Sequence, residues 1–221
     1  MDDKLAWWNK KHKKYATESW VDKTSIFAEW AAEYFPGEGK ILELGAGHGQ
    51  DSRFFAGKGY EVTSTDFSGS ALEYNLSKTP ESLKNRITVN SVDISKPLPF
   101  GNDFFDVVYC NLSLHYFDDL TTDEVFKEIY RVLKPKGIVA ILVNSINDPE
   151  YGQGEKIEQD YYELVPGDVK HFFSKEYMKR KTHKFETILL DSEGTSYKDT
   201  EKGVFNLIRY IGRKPPLPSL R

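Results

Sequence analysis

Lys40-Ile41-Leu42-Glu43-Leu44-Gly45-Ala46-Gly47-His48-Gly49-Gln50-Asp51 decides how this chain reads. A short apolar run with one acid inside it has the pattern of a buried parallel strand. Three glycines at spacing two then break it off, and a helix-compatible segment runs from Asp51 to Gly57. Glycine lets the backbone turn sharply and keeps side chains from standing between the main chain and a ligand. The N-terminus of the following helix supplies free N–H groups. Together these features predict a nucleotide-type site at the carboxyl end of a first strand. A dinucleotide-binding turn would place a third glycine three residues after Gly47. Gln50 stands there instead, and the third glycine comes early at Gly49.

Glu43-x-Gly45-x-Gly47-x-Gly49 resembles the first motif of the class I S-adenosylmethionine-dependent methyltransferases. The order of elements around it agrees. Strands are expected near 40–45, 60–65, 86–92, 104–111 and 137–143, and helices near 22–35, 51–58, 69–78, 122–133 and 174–181. Such alternation implies an α/β fold with a parallel sheet covered on both faces. Further on, Lys184–Leu190 and Val204–Ile211 read as two strands around a polar turn region, Asp191–Lys202, and imply a closing antiparallel hairpin. The resemblance implies a doubly wound, Rossmann-like sheet of seven strands in the order 3-2-1-4-5-7-6, the seventh antiparallel. The expected organisation is an N-terminal helical cap over the acceptor site (1–35), a methyltransferase domain (36–213) with a lid-like insertion (144–173), and a tail (214–221).

Composition is compatible with that reading. The chain has 221 residues, 39% of them hydrophobic, enough for one domain with a sizeable core. Its net charge of −4 argues against a phosphate backbone as the main partner. The lone Cys110 lies in an apolar run and reads as a buried, inert thiol. No segment approaches the roughly 20 apolar residues of a membrane span, and Met1-Asp2-Asp3-Lys4 lacks the apolar core of a signal peptide. A cytoplasmic protein without a membrane partner is the expectation, and its oligomeric state is left open.

The site residues follow from the motif positions. Gly45, Ala46, Gly47 and Gly49 form the turn, and Glu43 within the strand either organises that turn or approaches the amino group of S-adenosyl-L-methionine, the implied cofactor. Asp66, with Phe67 after it, ends the second strand. It is a turn aspartate or the acceptor of both ribose hydroxyls, and its distance of about 20 residues from the first glycine favours ribose. Asp93-Ile94 after the third strand matches the family pair that reads adenine, although an aspartate there also suits a turn. Asn111, after the fourth strand, is expected to offer its carbonyl to the cofactor's ammonium group. His48 reads as an exposed loop histidine, and no metal site is expected.

For the methyl acceptor, His115 is the candidate base and equally suits a packed or lining histidine. Trp8, Tyr15, Trp20, Tyr116, Tyr151 and His171 are the expected acceptor-binding residues, drawn from the N-terminal segment, the chain after the fourth strand and the insertion. No Asn-Pro-Pro-Tyr-type motif follows the fourth strand, which argues against base or amide nitrogen as acceptor. A small molecule is therefore the favoured acceptor, with nucleic acid disfavoured. The alternatives are a protein or RNA methyltransferase guided by the basic Lys10–Lys14 run, and a non-catalytic cofactor-binding module. A nicotinamide dehydrogenase is opposed by the glycine spacing.

Overall fold

The computed structural model describes residues 3–196 and 206–217. Its main sheet is built from β1 (Lys40–Leu44), β2 (Glu61–Asp66), β3 (Ile87–Ser91), β4 (Phe105–Asn111) and β5 (Leu133–Val143), with β9 (Glu186–Gly194) and β10 (Leu207–Arg213). Their order is β3-β2-β1-β4-β5-β10-β9. The first five strands pair in parallel, and β10 runs antiparallel to both β5 and β9. The doubly wound order expected from the resemblance is the one observed. The sheet order reverses between β1 and β4, whose carboxyl ends open the crevice where such sheets bind ligands.

Burial on both faces explains why these strands read as continuous apolar runs. Along β4, Val107 and Tyr109 pack on one face and Val108 and Cys110 on the other, all of them fully buried. On the first face lie Phe27, Ala28 and Ala31 of α2 (Ile26–Ala31) and Phe55 and Ala56 of α3 (Gln50–Gly57). The opposite face receives Val125, Phe126 and Ile129 of α5 (Asp119–Val132), then Tyr177 and Met178 of α6 (Lys175–Lys181). α4 (Gly69–Lys78) follows β2, capped by Ser68, whose hydroxyl accepts from Ala71 N.

Three expectations need correction. The helix expected over 22–35 is only Ile26–Ala31 with a 3-10 turn to Tyr34, because the chain breaks at Phe35-Pro36. A longer helix, α1 (Asp3–Tyr15), precedes it. The turn expected over Asp191–Lys202 starts late, since β9 continues to Gly194. Arg209 Nη2 and Nε hold Asp191 from β10 at 2.6 and 2.8 Å. The rest of that turn and the strand start at Val204 lie outside the described residues, as do the last four residues of the expected tail. Lys214, where that tail was to begin, is buried and donates to Asp103, to Tyr130 O and to Leu133 O, each at 2.7 Å.

The insertion is not a bare loop. It folds into a second sheet, β6 (Glu155–Glu158), β7 (Tyr161–Val165) and β8 (Asp168–His171), in the order β6-β7-β8. Its period-2 signal is weak because β6 is exposed throughout. His171 N donates to His115 O at 2.8 Å and Phe173 N to Asn144 O at 2.8 Å, which fastens the sheet to the chain beyond β4 and to the end of β5. The His171 ring is 1% exposed, and its Nδ1 lies 3.0 Å from Phe117 O. A carbonyl only accepts, so Nδ1 carries the proton.

Burial pulls the His171 pKa below its ordinary value. The neutral ring therefore contributes stability that is complete above the unfolded pKa of about 6.5 and fades as pH falls through the lower folded value. The melting temperature of His171→Asn should fall less steeply than wild type between pH 7 and 5. Parallel pH profiles of melting temperature in the two proteins would show that folding does not lower the His171 pKa.

Candidate active site

A cavity of about 1150 Å³, counting its mouth, opens where β1 and β4 end. Part of its lining is Glu43 of β1, Gly45, Ala46 and Gly47 of the first turn, Asp66 at the end of β2 with Phe67 after it, Asp93 and Ile94 beyond β3, and Asn111 at the end of β4. Gly49 lies off the cavity. Its φ is +74°, and a Cβ there would meet the buried Asn75 amide at 1.9–2.2 Å, so glycine serves packing between α3 and α4.

Gly45 shapes the floor. Its φ is +74°, and a Cβ would stand 2.4 Å from Ser113 Cβ. The chain leaving β4 makes that approach by putting Leu112 into a left-handed conformation, φ +54°, while Leu112 N donates to Leu142 O at 2.9 Å. A leucine held there costs about 1–2 kcal/mol, and strain of this kind gathers at functional sites.

The acids have distinct surroundings. Asp66 Oδ2 accepts from Gly47 N and Oδ1 from Ser68 N, both at 2.8 Å. Burial raises its pKa, and those N–H donors oppose the rise. Asp66 therefore braces the glycine turn and still has lone pairs for ribose hydroxyls. Asp93 accepts from the backbone N and hydroxyl of Ser95. Glu43 is 3% exposed, and burial together with the Asp51 charge holds its pKa well above the ordinary carboxylate range. Ser52 Oγ donates to Glu43 and lies 2.8 Å from Ser64 Oγ, to which Asn75 Nδ2 donates at 2.9 Å.

Another part of the lining is aromatic. Trp8, His12 and Tyr15 of α1 line the cavity with Trp20, Tyr116 and Phe117. Trp8 meets Tyr116 edge-on at 4.7 Å. α1 is held down by polar contacts: Ser68 Oγ donates to Asn9 Oδ1 at 2.7 Å, and His12 Nε2 lies 3.7 Å from Asp66 Oδ1. Lys11 pairs with Asp168 at 3.1 Å at the start of β8. His48 Nε2 donates to His12 O at 3.1 Å and its ring abuts Tyr74, so the loop histidine expected to be exposed is 4% exposed.

His115, Tyr151 and His171 do not line the cavity. His115 is 2% exposed with its ring 4.3 Å from Tyr116. Tyr151 donates to Asp160 and packs against Tyr162 of the small sheet and Phe172 just after it. Sequence reasoning missed His12, Gln50, Asp51 and Ser113, all of which line the cavity. Trp8, His12 and Tyr15 at spacing i, i+4, i+7 is the signal that points α1's polar residue at the site.

Residues 42–141 match the model of a methyltransferase domain family. Over those residues the chain carries a methyltransferase domain. YqeM of Bacillus subtilis, provisionally named a methyltransferase, is 35% identical over 120 residues, 54% of this chain and 48% of YqeM. A demethylmenaquinone methyltransferase of Streptomyces avermitilis is 37% identical over 102 residues, 46% of this chain and 41% of that protein. The chain spans about half the length of the curated relatives it matches. An S-adenosylmethionine-dependent methyltransferase of Methanosarcina mazei shares the fold, with a TM-score of 0.72, 21% identity, and 85% of this chain and 97% of that chain covered.

The methyltransferase cavity suits S-adenosylmethionine on its own geometry. Gly45 leaves bare backbone facing the crevice, and the Asn111 and Gln50 amide oxygens are buried without a partner among the described residues. Buried acceptors of this kind await a donor, and an ammonium group is one.

Gly45→Ala should lower stability by at least about 1–2 kcal/mol from backbone conformation, a fall in Tm of roughly 2–8 °C at this chain length. Binding of S-adenosylhomocysteine should weaken with it. A variant that melts and binds like wild type would show that the Gly45–Ser113 approach is relaxed in solution.

Proposed function

We propose that the protein transfers a methyl group from S-adenosylmethionine to a small-molecule acceptor held beneath α1. The observation that carries this reading is a single cavity lined both by the methyltransferase motif residues and by Trp8, Tyr15, Trp20, Tyr116 and Phe117. Its likeness to a demethylmenaquinone methyltransferase supports a small acceptor. Among the described residues no helix is long and apolar enough to cross a membrane, and no cluster of metal-binding side chains occurs.

The bound cofactor supplies an electrophilic methyl group on a sulfonium. The chain's part is to bind, to orient and to keep water out. Asp66 accepts from ribose hydroxyls, Asp93 and Ile94 read and cover the adenine, and Asn111 accepts from the ammonium group. The aromatic wall stabilises positive charge through its ring faces. Burial raises the pKa of the Tyr116 hydroxyl, which stays protonated, and His115 lies off the cavity. A thiolate, a carboxylate or a neutral amine would need no base from the protein, whereas a hydroxyl would call on another lining group such as His12. Lys4 and Lys23 among the lining residues suit an anionic acceptor.

S-adenosylhomocysteine at ~100 times its dissociation constant should add about 2.7 kcal/mol, a rise in Tm of roughly 5–10 °C. NAD should add nothing. With labelled methyl donor, a panel of thiols, amines, carboxylates and phenols should yield a labelled small product. Stabilisation by NAD and none by S-adenosylhomocysteine would sink the cofactor assignment. Label that enters only protein or RNA, with steep salt dependence, would overturn the small-molecule acceptor.

A further inference from the structure

Asp51 follows the glycine turn in the first turn of α3 and is 1% exposed. Four donors converge on it. Ser25 N reaches Oδ1 at 2.7 Å, and Ser25 Oγ, Tyr109 OH and Asn111 Nδ2 reach Oδ2 at 2.7, 2.8 and 3.1 Å. Three of the four crowd Oδ2, where Ser25 Oγ and Tyr109 OH also lie 3.1 Å from each other, and one meets Oδ1.

The consequence falls on Asn111. An ionised carboxylate only accepts, so the Asn111 amide must meet Asp51 with its NH2 group. Its oxygen is thereby turned away from Asp51, buried and without a partner among the described residues, on a residue that lines the cavity. An amide left to itself presents either end. This one cannot rotate without setting oxygen against oxygen.

We propose that Asp51 is a positioning residue that locks the Asn111 amide with its oxygen presented to the ammonium group of the cofactor's amino-acid portion. The proposal rests on the reading that the cavity binds S-adenosylmethionine. Through Ser25, which also caps α2 by accepting from Ala28 N at 3.0 Å, Asp51 ties the N-terminal segment to the same amide. Order in that segment and cofactor recognition are thus set by one carboxylate.

Asp51→Asn keeps the shape and reverses the polarity. Its oxygen takes the place facing Ser25 N, so its NH2 faces Asn111, and the Asn111 amide turns over to accept from it. An amide NH2 then meets the ligand's ammonium group. Two probes separate this effect from general damage: S-adenosylhomocysteine, and 5′-methylthioadenosine, which lacks the amino-acid portion. By calorimetry Asp51→Asn should weaken S-adenosylhomocysteine binding on the order of 10-fold or more, the worth of one hydrogen bond to a charged group. Binding of 5′-methylthioadenosine should change less than about 3-fold, within the scatter of uncoupled sites. Asn111→Ala should show the same loss of preference, and adding Asp51→Asn to it should cost little more.

Equal losses for both probes, an unchanged preference, or full additivity with Asn111→Ala would overturn the positioning role. Should Asp51→Asn not fold, Asp51→Ser, whose hydroxyl accepts or donates and so releases the amide, is read by the same ratio. Failure of both to fold makes Asp51 a residue of the fold alone and overturns the proposal. Wild-type protein that binds neither probe overturns the cofactor reading and the proposal with it. A wild-type preference that survives in the Asp51 variants overturns only the positioning role.

Discussion

A carboxylate buried to 1% exposure needs every lone pair met, and meeting those of Asp51 draws together parts of the chain that are far apart in sequence. Ser25 comes from the N-terminal segment, Tyr109 and Asn111 come from β4, and Asp51 itself opens α3. Burial raises the Asp51 pKa and the converging donors oppose the rise. Removing one donor from such a site leaves charge uncompensated, so α2, α3 and the end of β4 are held to one arrangement. The Tyr109 ring extends that arrangement into the core, where it packs against Phe27 and Phe55.

The second constraint is steric. Gly45 and Ser113 pass so closely that no side chain fits at position 45, and Leu112 takes a left-handed conformation to allow it. The result is bare backbone at position 45, with Tyr116 and Phe117 lining the same cavity a few residues further along the segment that leaves β4.

α1 completes the enclosure from outside the sheet. Asn9 and His12 reach the loop after β2, Lys11 reaches Asp168 at the start of β8, and His48 donates to the helix's backbone. The helix is thus fastened to the end of β2 and to the inserted sheet at once. Trp8 meets Tyr116 and Tyr15 meets Trp20, so the aromatic part of the cavity lining is built largely from parts that the sheet does not dictate.

How much was legible in the sequence follows from the range of the forces involved. The glycine turn, the alternation of strands and helices, and the placement of Asp66, Asp93 and Asn111 at strand ends rest on local signals: periodicity, turn chemistry and spacing. Those the sequence determined by itself, because parallel pairing with crossover helices leaves few arrangements for such a pattern. In the small sheet β6-β7-β8, β6 escaped because an exposed strand carries no alternation. His48 was misread because its burial comes from α1 and Tyr74, neither of them near it in sequence. His115 follows the right strand, yet its ring lies off the cavity that its neighbour Tyr116 lines. Only the tertiary structure decided the convergence of donors on Asp51 and the resulting orientation of Asn111, since both depend on groups 26, 58 and 60 residues away that only folding brings to one carboxylate.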